Sequence, residues 1–83
     1  MYSVIFSGTV VKQLKKLPKE SQKRIVSAID RIKIRPYPHV KKLVGCPYFR
    51  LRAGDYRIIL DLDHNEKKIK IMKLGHRKNI YEE

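Results

Sequence analysis

The stretch YFRLRAGDYRIIL, residues 48–60, decides the fold of this chain. Polar and apolar side chains alternate on both sides of Gly54-Asp55, and a period of two residues is typical of β-strands. Glycine accepts the positive φ that a two-residue hairpin turn requires. The stretch therefore predicts two antiparallel strands joined by a tight turn at Gly54-Asp55.

The register of this hairpin sorts its side chains onto two faces, because successive side chains of a strand point to opposite sides. One predicted face is apolar and belongs against helices; the other carries Arg50, Arg52 and Arg57. The predicted cross-strand pairs are Ala53 with Tyr56, Arg52 with Arg57, Leu51 with Ile58, and Arg50 with Ile59.

Residues 67–74 predict a third strand, joined to the hairpin by a loop at residues 63–66. A four-residue turn there extends the same two faces. It predicts that Leu60 pairs with Ile69, Ile58 with Ile71, and Asp61 with Lys68.

The chain before the hairpin predicts one strand and two helices. Residues 2–6 are a short β-rich run, and the first helix after it ends at Pro18. The second helix ends before Pro36 and carries an apolar stripe at helical spacing, made of Ile25, Ala28, Ile29 and Ile32. We therefore predict an α+β fold, β-α-α-β-β-β, with an antiparallel sheet backed by a two-helix hairpin and a short C-terminal tail. At this length, residues 1–83 are expected to form a single domain.

Composition excludes several classes of protein. With 42% hydrophobic and 34% charged residues, the chain suits a compact domain better than a disordered segment. Its apolar runs are too short to cross a bilayer, and no basic leader precedes one, so neither a membrane role nor secretion is expected. Cys46 has no partner for a disulfide, which suits a reducing cytoplasm. His39, His64 and His76 lack metal-ligand spacing, so neither a metal nor another cofactor is expected.

Positive charge is the strongest global signal in the sequence. Twenty Lys and Arg against eight Asp and Glu give a net charge of +12, which attracts nucleic acid or an acidic protein. Between Arg31 and Arg57 there are eight basic residues and one acid, Asp55. Guanidinium groups match phosphate oxygens two at a time, so the arginine face of the hairpin predicts phosphate binding. The alternative is that these arginines are solvated, or pair with acidic residues of a partner.

The C-terminal tail carries groups that could transfer protons. Gly75 lets the chain turn off the last strand, and His76, Arg77 and Tyr81 follow it. Cleavage of RNA by its own 2′-hydroxyl requires a base, cations around the phosphorane, and an acid for the departing 5′-oxygen. Arginine supplies only positive charge because it keeps its proton.

Together these residues resemble the RelE/ParE toxin superfamily. The resemblance rests on residues 48–57, the apolar strand that follows, and Gly75-His76-Arg77 with Ile80-Tyr81, and it spans nearly the whole chain. It implies a toxin of a toxin–antitoxin pair. The RelE-like branch cuts mRNA in the ribosomal A site without a metal, leaves a 2′,3′-cyclic phosphate, and inhibits translation. The implied partners are mRNA, the ribosome and an acidic, RelB-like antitoxin.

The resemblance also implies roles for single residues. Arg57 matches the hairpin arginine that stabilises the transition state, Arg77 the arginine after the last strand, and Tyr81 the C-terminal tyrosine of base stacking or proton transfer. Arg50 and Arg52 fall where the best-studied members carry two lysines. Since arginine cannot act as a base, His76 is the predicted general base. The predicted RNA-binding residues are Arg50, Arg52, Lys41, Lys42 and Lys78.

Two other functions stay open on the sequence. A ParE-like toxin that poisons DNA gyrase shares the fold but generally lacks the Arg/Arg/Tyr set. A plain basic nucleic-acid-binding module is the other, and it is disfavoured by the shortage of exposed aromatic residues for base stacking on the sheet.

Overall fold

Two helices and five strands follow one another in residues 1–76, the part of the chain that the computed structural model describes. In chain order they are β1 (Ser3–Phe6), α1 (Gly8–Lys15), α2 (Lys19–Arg31), β2 (Lys41–Lys42), β3 (Phe49–Ala53), β4 (Tyr56–Asp63) and β5 (Lys68–His76), with a 3₁₀ turn at Tyr37–His39 before β2. The predicted α+β class and the order β-α-α-β-β-β are confirmed, and β2 is an additional two-residue strand. The predictions on Arg77, Lys78 and Tyr81 lie outside the described residues.

The strands form one sheet in the order β1-β5-β4-β3-β2. Strands β2 to β5 pair antiparallel, but β1 runs parallel to β5 at one edge. The prediction of a purely antiparallel sheet is therefore wrong in this detail. The first strand pairs with the last one instead of its neighbour in sequence, and the helices and the other strands lie between them in the chain. A connection of that length is what parallel pairing requires.

Both helices cover the same face of the sheet. Helix α1 begins where the Ser7 hydroxyl accepts a hydrogen bond from the Val10 amide at 3.1 Å, which caps its first turn. All four residues of the predicted α2 stripe are buried, against the buried Ile58, Leu60, Ile69 and Ile71 of the sheet. Each fully buried Ile or Leu stabilises the fold by about 1.5–3 kcal/mol.

No helix within residues 1–76 is both long enough and apolar enough to span a membrane.

The hairpin between β3 and β4 has the predicted register at every pair, including Arg52 opposite Arg57. Gly54 adopts a φ of +62°, the positive value expected at the first turn position. The register predicted for the second hairpin is wrong, because Leu60 pairs with Ile71 and Asp61 with Lys70. The turn there includes Lys67, which takes a φ of +57°. The partners of Leu60 and Asp61 therefore lie two residues further along β5 than predicted, which leaves the two faces unchanged in the first half of that strand.

A β-bulge at Met72 changes the faces in the second half of β5. The register shifts between Ile59 and Leu60, so that Ile59 pairs with Lys73 and Ile58 with Leu74. Met72 and Lys73 are both exposed, whereas Leu74 is buried. Strict alternation would have put Lys73 in the core, and the extra residue of a bulge avoids this.

Gln13 of helix α1 and Ser7, the N-cap residue before that helix, support the bulge. The Gln13 side-chain oxygen accepts a hydrogen bond from the Leu74 amide at 2.8 Å. The Ser7 hydroxyl donates one to the Met72 carbonyl at 3.3 Å. These contacts fix the end of β5, directly before Arg77 in the chain.

Candidate nucleic-acid interface

The sheet face turned away from the helices, here called the open face, carries the predicted arginines. Cross-strand partners share a face, so the register assigns its side chains to rows. One row runs from Gly75 on β5 through Arg57 to Arg52. The next row is Lys73, Ile59, Arg50 and Lys41. The structure thus brings Arg50, Arg52 and Arg57 together on one face, as the hairpin register predicted, and adds Lys41 and Lys73.

Charge is distributed unevenly along the open face. The cross-strand neighbours of Arg57 are another arginine and a glycine. Towards the other end of β4, Asp61 and Asp63 face Lys70 and Lys68 on β5. Acidic groups therefore lie beside lysines at one end, whereas the hairpin end presents guanidinium groups. An anionic ligand is favoured at the hairpin end.

A pocket of about 380 Å³ opens between the 3₁₀ turn and β3. Its polar lining is formed by His39, Lys41, Arg50 and Arg52. Sequence reasoning considered His39 only as a metal ligand and missed its place beside the arginines. Arg52 stands thirteen positions after His39 in the chain, and no local spacing pattern links them.

The position of His39 follows from contacts of its neighbours. The Tyr37 ring packs edge-on against the Phe49 ring of β3, with centroids 5.8 Å apart at 83°. The His39 amide donates a hydrogen bond to the Pro36 carbonyl at 3.0 Å, which closes the turn. Lys41 then pairs with Arg50 on β3. The 3₁₀ turn is therefore anchored to β3 on both sides of His39.

His76, the predicted base, lies on the helix side of the sheet. It pairs with Tyr56, and the two rings make an edge-to-face contact with centroids 5.4 Å apart at 80°. It lines a groove with Gln13 and Lys16 of α1. Because successive residues of a strand alternate between faces, Tyr56 and its partner His76 point away from the face of Arg57. The structure does not bring His76 together with Arg57.

Lys42, a predicted RNA-binding residue, also lies on the helix side. It pairs with Phe49, and its ammonium group sits 5.3 Å from the centre of the Phe49 ring. Alternation along β2 therefore separates Lys42 from Lys41, which shares the open face with Arg50.

Comparison with known proteins agrees with this geometry. The family described as the ParE toxin of type II toxin–antitoxin systems, parDE, matches residues 4–81. This chain belongs to the RelE/ParE superfamily of toxins.

Its relatives are RelE toxins. Toxin RelE3 of Methanocaldococcus jannaschii is 34% identical over 85 residues, which cover 95% of this chain and 94% of that protein. The archaeal RelE–RelB complex of Pyrococcus horikoshii OT3 contains a chain of 36% identity and TM-score 0.81, with 95% of this chain and 98% of that one covered. The toxin–antitoxin complex RelBE2 of Mycobacterium tuberculosis gives 28% identity and TM-score 0.84, covering 92% and 98%. The chain is thus a RelE-like toxin of a toxin–antitoxin system.

In this RelE-like toxin the arginine row ends at Gly75, two residues before Arg77. The predicted roles of Arg77, Lys78 and Tyr81 remain predictions, since these residues lie beyond position 76.

Proposed function

We propose that this RelE-like toxin is an endoribonuclease that cleaves mRNA in the ribosomal A site and so inhibits translation in the cytoplasm. The pairing of Arg52 with Arg57 across the hairpin is the observation that carries the proposal. Like charges directly opposite each other destabilise a sheet, and a bound anion offsets that cost. An RNA phosphate is such an anion, and guanidinium groups bind it through two hydrogen bonds.

The proposed reaction uses the RNA's own 2′-hydroxyl. A base removes its proton, the 2′-oxygen attacks the adjacent phosphorus, and the bond to the 5′-oxygen breaks. The products are a 2′,3′-cyclic phosphate and a 5′-hydroxyl. Arg57 and Arg77 stabilise the extra negative charge of the phosphorane, and Tyr81 donates the proton that the 5′-oxygen takes up. Because the guanidinium groups supply the positive charge, the proposed reaction requires no metal.

Binding of RNA is proposed to extend over the open face. Arg50, Arg52 and Lys41 hold the mRNA backbone near Arg57. Lysines elsewhere on the surface, including Lys42 and Lys78, are proposed to contact ribosomal RNA. Such contacts are sequence-independent and weaken as salt concentration rises.

We further propose that an acidic, RelB-like antitoxin neutralises this toxin. The related P. horikoshii and M. tuberculosis structures are toxin–antitoxin complexes. A net charge of +12 favours an acidic partner, and a disordered acidic segment can wrap a small domain as it folds on binding. Its carboxylates are proposed to contact Arg50, Arg52 and Arg57.

Mapping the 3′ and 5′ ends of transcripts after brief expression tests the proposed function. We expect discrete cuts in codon register with the natural toxin and none with Arg57→Gln expressed at the same level. Intact transcripts during growth arrest would contradict the nuclease proposal.

The description of the matching family as ParE toxins favours one second candidate, a ParE-like toxin that acts on a protein such as DNA gyrase. In that case the same cells would contain intact mRNA and damaged DNA. A plain nucleic-acid-binding module would produce neither, and the membership of a toxin superfamily disfavours it.

A further inference from the structure

We propose that the imidazole of His39 is the general base that removes the proton from the 2′-hydroxyl of the RNA. This inference rests on the proposed ribonuclease function. It names the residue responsible for a step that Arg50 and Arg52 cannot perform, because an arginine effectively never loses its proton. Imidazole is the side chain that ordinarily exchanges a proton near neutral pH.

Residues 1–76 contain three histidines, and each lies in a different part of the fold. His76 packs on Tyr56 on the helix side of the sheet. His64 lies in the turn between β4 and β5, at the far end of β4 from the arginine row, and its Nδ1 lies 3.3 Å from the Tyr2 hydroxyl. His39 lines a pocket with Arg50 and Arg52.

The ladder between β2 and β3 ends close to His39. Its last pair is Lys41 with Arg50, and His39, two residues before Lys41, lies in the 3₁₀ turn and lines one pocket with Arg50 and Arg52. Val40, between His39 and Lys41, has an extended backbone, φ −122° and ψ 160°. His39 therefore lies beside the end of the arginine row formed by Arg52, Arg57 and Gly75.

The spacing of this row suits one phosphodiester. Adjacent strands lie about 4.8 Å apart, so Arg57 is one strand spacing away from Arg52, which lines the pocket with His39. A nucleotide lying over Arg52 would have its 2′-hydroxyl towards His39 and its phosphate oxygens towards Arg57. The charged groups that face the pocket with His39 are Lys41, Arg50 and Arg52, all cationic and all suited to phosphate.

The proton balance of the step is complete. His39 takes the proton of the 2′-hydroxyl as the 2′-oxygen bonds to phosphorus. The bond from phosphorus to the 5′-oxygen breaks, and that oxygen receives the proton of the Tyr81 phenol proposed above. The imidazolium and the phenolate then exchange protons with water, which restores both groups.

The test compares three matched variants, His39→Gln, His76→Gln and His64→Gln, in single-turnover cleavage of mRNA on programmed ribosomes at saturating toxin. We expect His39→Gln to lose about 10²–10⁴-fold in rate, the usual contribution of a general base. His64→Gln and His76→Gln should stay within a few-fold of the natural toxin. Thermal unfolding of each variant checks the fold, and filter binding of the RNA checks that His39→Gln still binds.

Two further readouts separate proton transfer from a structural role. The rate of the natural toxin should fall when the pH is lowered enough to protonate the base, and His39→Gln should lose this dependence. Added imidazole should restore part of the rate of His39→Ala, because the free base can enter the pocket. Cleavage by His39→Gln at the natural rate, or loss of rate in His76→Gln instead, would overturn the assignment and leave the ribonuclease function standing. Absence of cleavage by the natural toxin would instead refute the proposed function.

Discussion

Arg52 and Arg57 lie directly opposite each other on the open face of the β3–β4 hairpin. Two guanidinium groups in such a pair repel, at a cost on the order of 0.2–1 kcal/mol. An anion bound between the two guanidinium groups would offset that cost. The same pair explains attraction for an RNA phosphate and for an acidic antitoxin.

Replacing Arg57 with glutamine should abolish growth inhibition without destabilising the fold. The change removes the charge proposed to stabilise the phosphorane, and it also removes the repulsion with Arg52. Colony counts after induction and the midpoint of thermal unfolding measure the two effects. As a control, Lys23→Gln removes an equal charge from an exposed position on helix α2, and this variant should remain toxic. Toxicity retained in Arg57→Gln would remove Arg57 from the mechanism, and Arg77→Gln should behave as Arg57→Gln does.

Association with an acidic antitoxin should slow as salt increases. Electrostatic attraction raises association rates by about 10–10³-fold and is screened by ions. Stopped-flow measurements at 50 mM and 500 mM salt should show this loss for the natural toxin and a smaller one for Arg50→Gln with Arg52→Gln. A salt dependence equal to that of Lys23→Gln would show that the antitoxin binds elsewhere.

Gln13→Met should destabilise the protein by about 1–3 kcal/mol, because the Leu74 amide loses its acceptor next to a buried side chain. Methionine keeps the approximate volume of glutamine, so packing changes little. Gln13→Glu retains an oxygen at the same position and should be close to the natural protein. Urea unfolding of both variants measures the difference, and equal stability would show that the bulge at Met72 does not depend on this hydrogen bond.

Gly54→Ala should destabilise the hairpin by about 1–2 kcal/mol, the usual cost of left-handed backbone for a residue with a Cβ. A Cβ at this position would also lie 2.9 Å from Cδ and Nη1 of Arg24. Those atoms belong to the end of a flexible side chain that can move aside. The cost should therefore persist in an Arg24→Ala background and fall in Gly54→Asn. If Arg24→Ala restored full stability, the contact and not the φ angle would be the cause.

The central hairpin was predictable from sequence because its turn chemistry and its alternation agree. Gly54 admits the turn, and the polar and apolar sides of β3 and β4 then fix every pair. The register of the second hairpin was not predictable, because its turn requires a positive φ at Lys67. No sequence pattern there indicates a positive φ at a non-glycine residue. The bulge at Met72 depends on Gln13, 61 residues away from Leu74 in the chain. Such a contact is invisible to local reasoning.

The candidate site also contains residues whose positions could be predicted from the sequence and residues whose positions could not. Arg50, Arg52 and Arg57 follow from alternation within one hairpin, so their common face could be predicted. His76 is the predicted base because it stands beside Arg77 in the tail and arginine cannot take up a proton, but it pairs with Tyr56, whose side chain faces away from that of the next residue, Arg57. His39 enters the site through the packing of Tyr37 on Phe49, a tertiary contact between segments that sequence spacing does not connect.

The most direct test of the account identifies the ends of the RNA that the purified toxin cuts. Toxin is mixed with programmed ribosomes in two buffers that both contain the magnesium that the ribosome needs. One buffer contains no chelator, and the other contains a chelator that removes transition metals and leaves the magnesium. We expect the same cleavage in both, with a 2′,3′-cyclic phosphate on the upstream fragment and a 5′-hydroxyl on the downstream one. Uncut RNA, or fragments that end in a 3′-hydroxyl and a 5′-phosphate, would contradict the proposal that the 2′-hydroxyl of an RNA bound to the arginine face attacks its own phosphate.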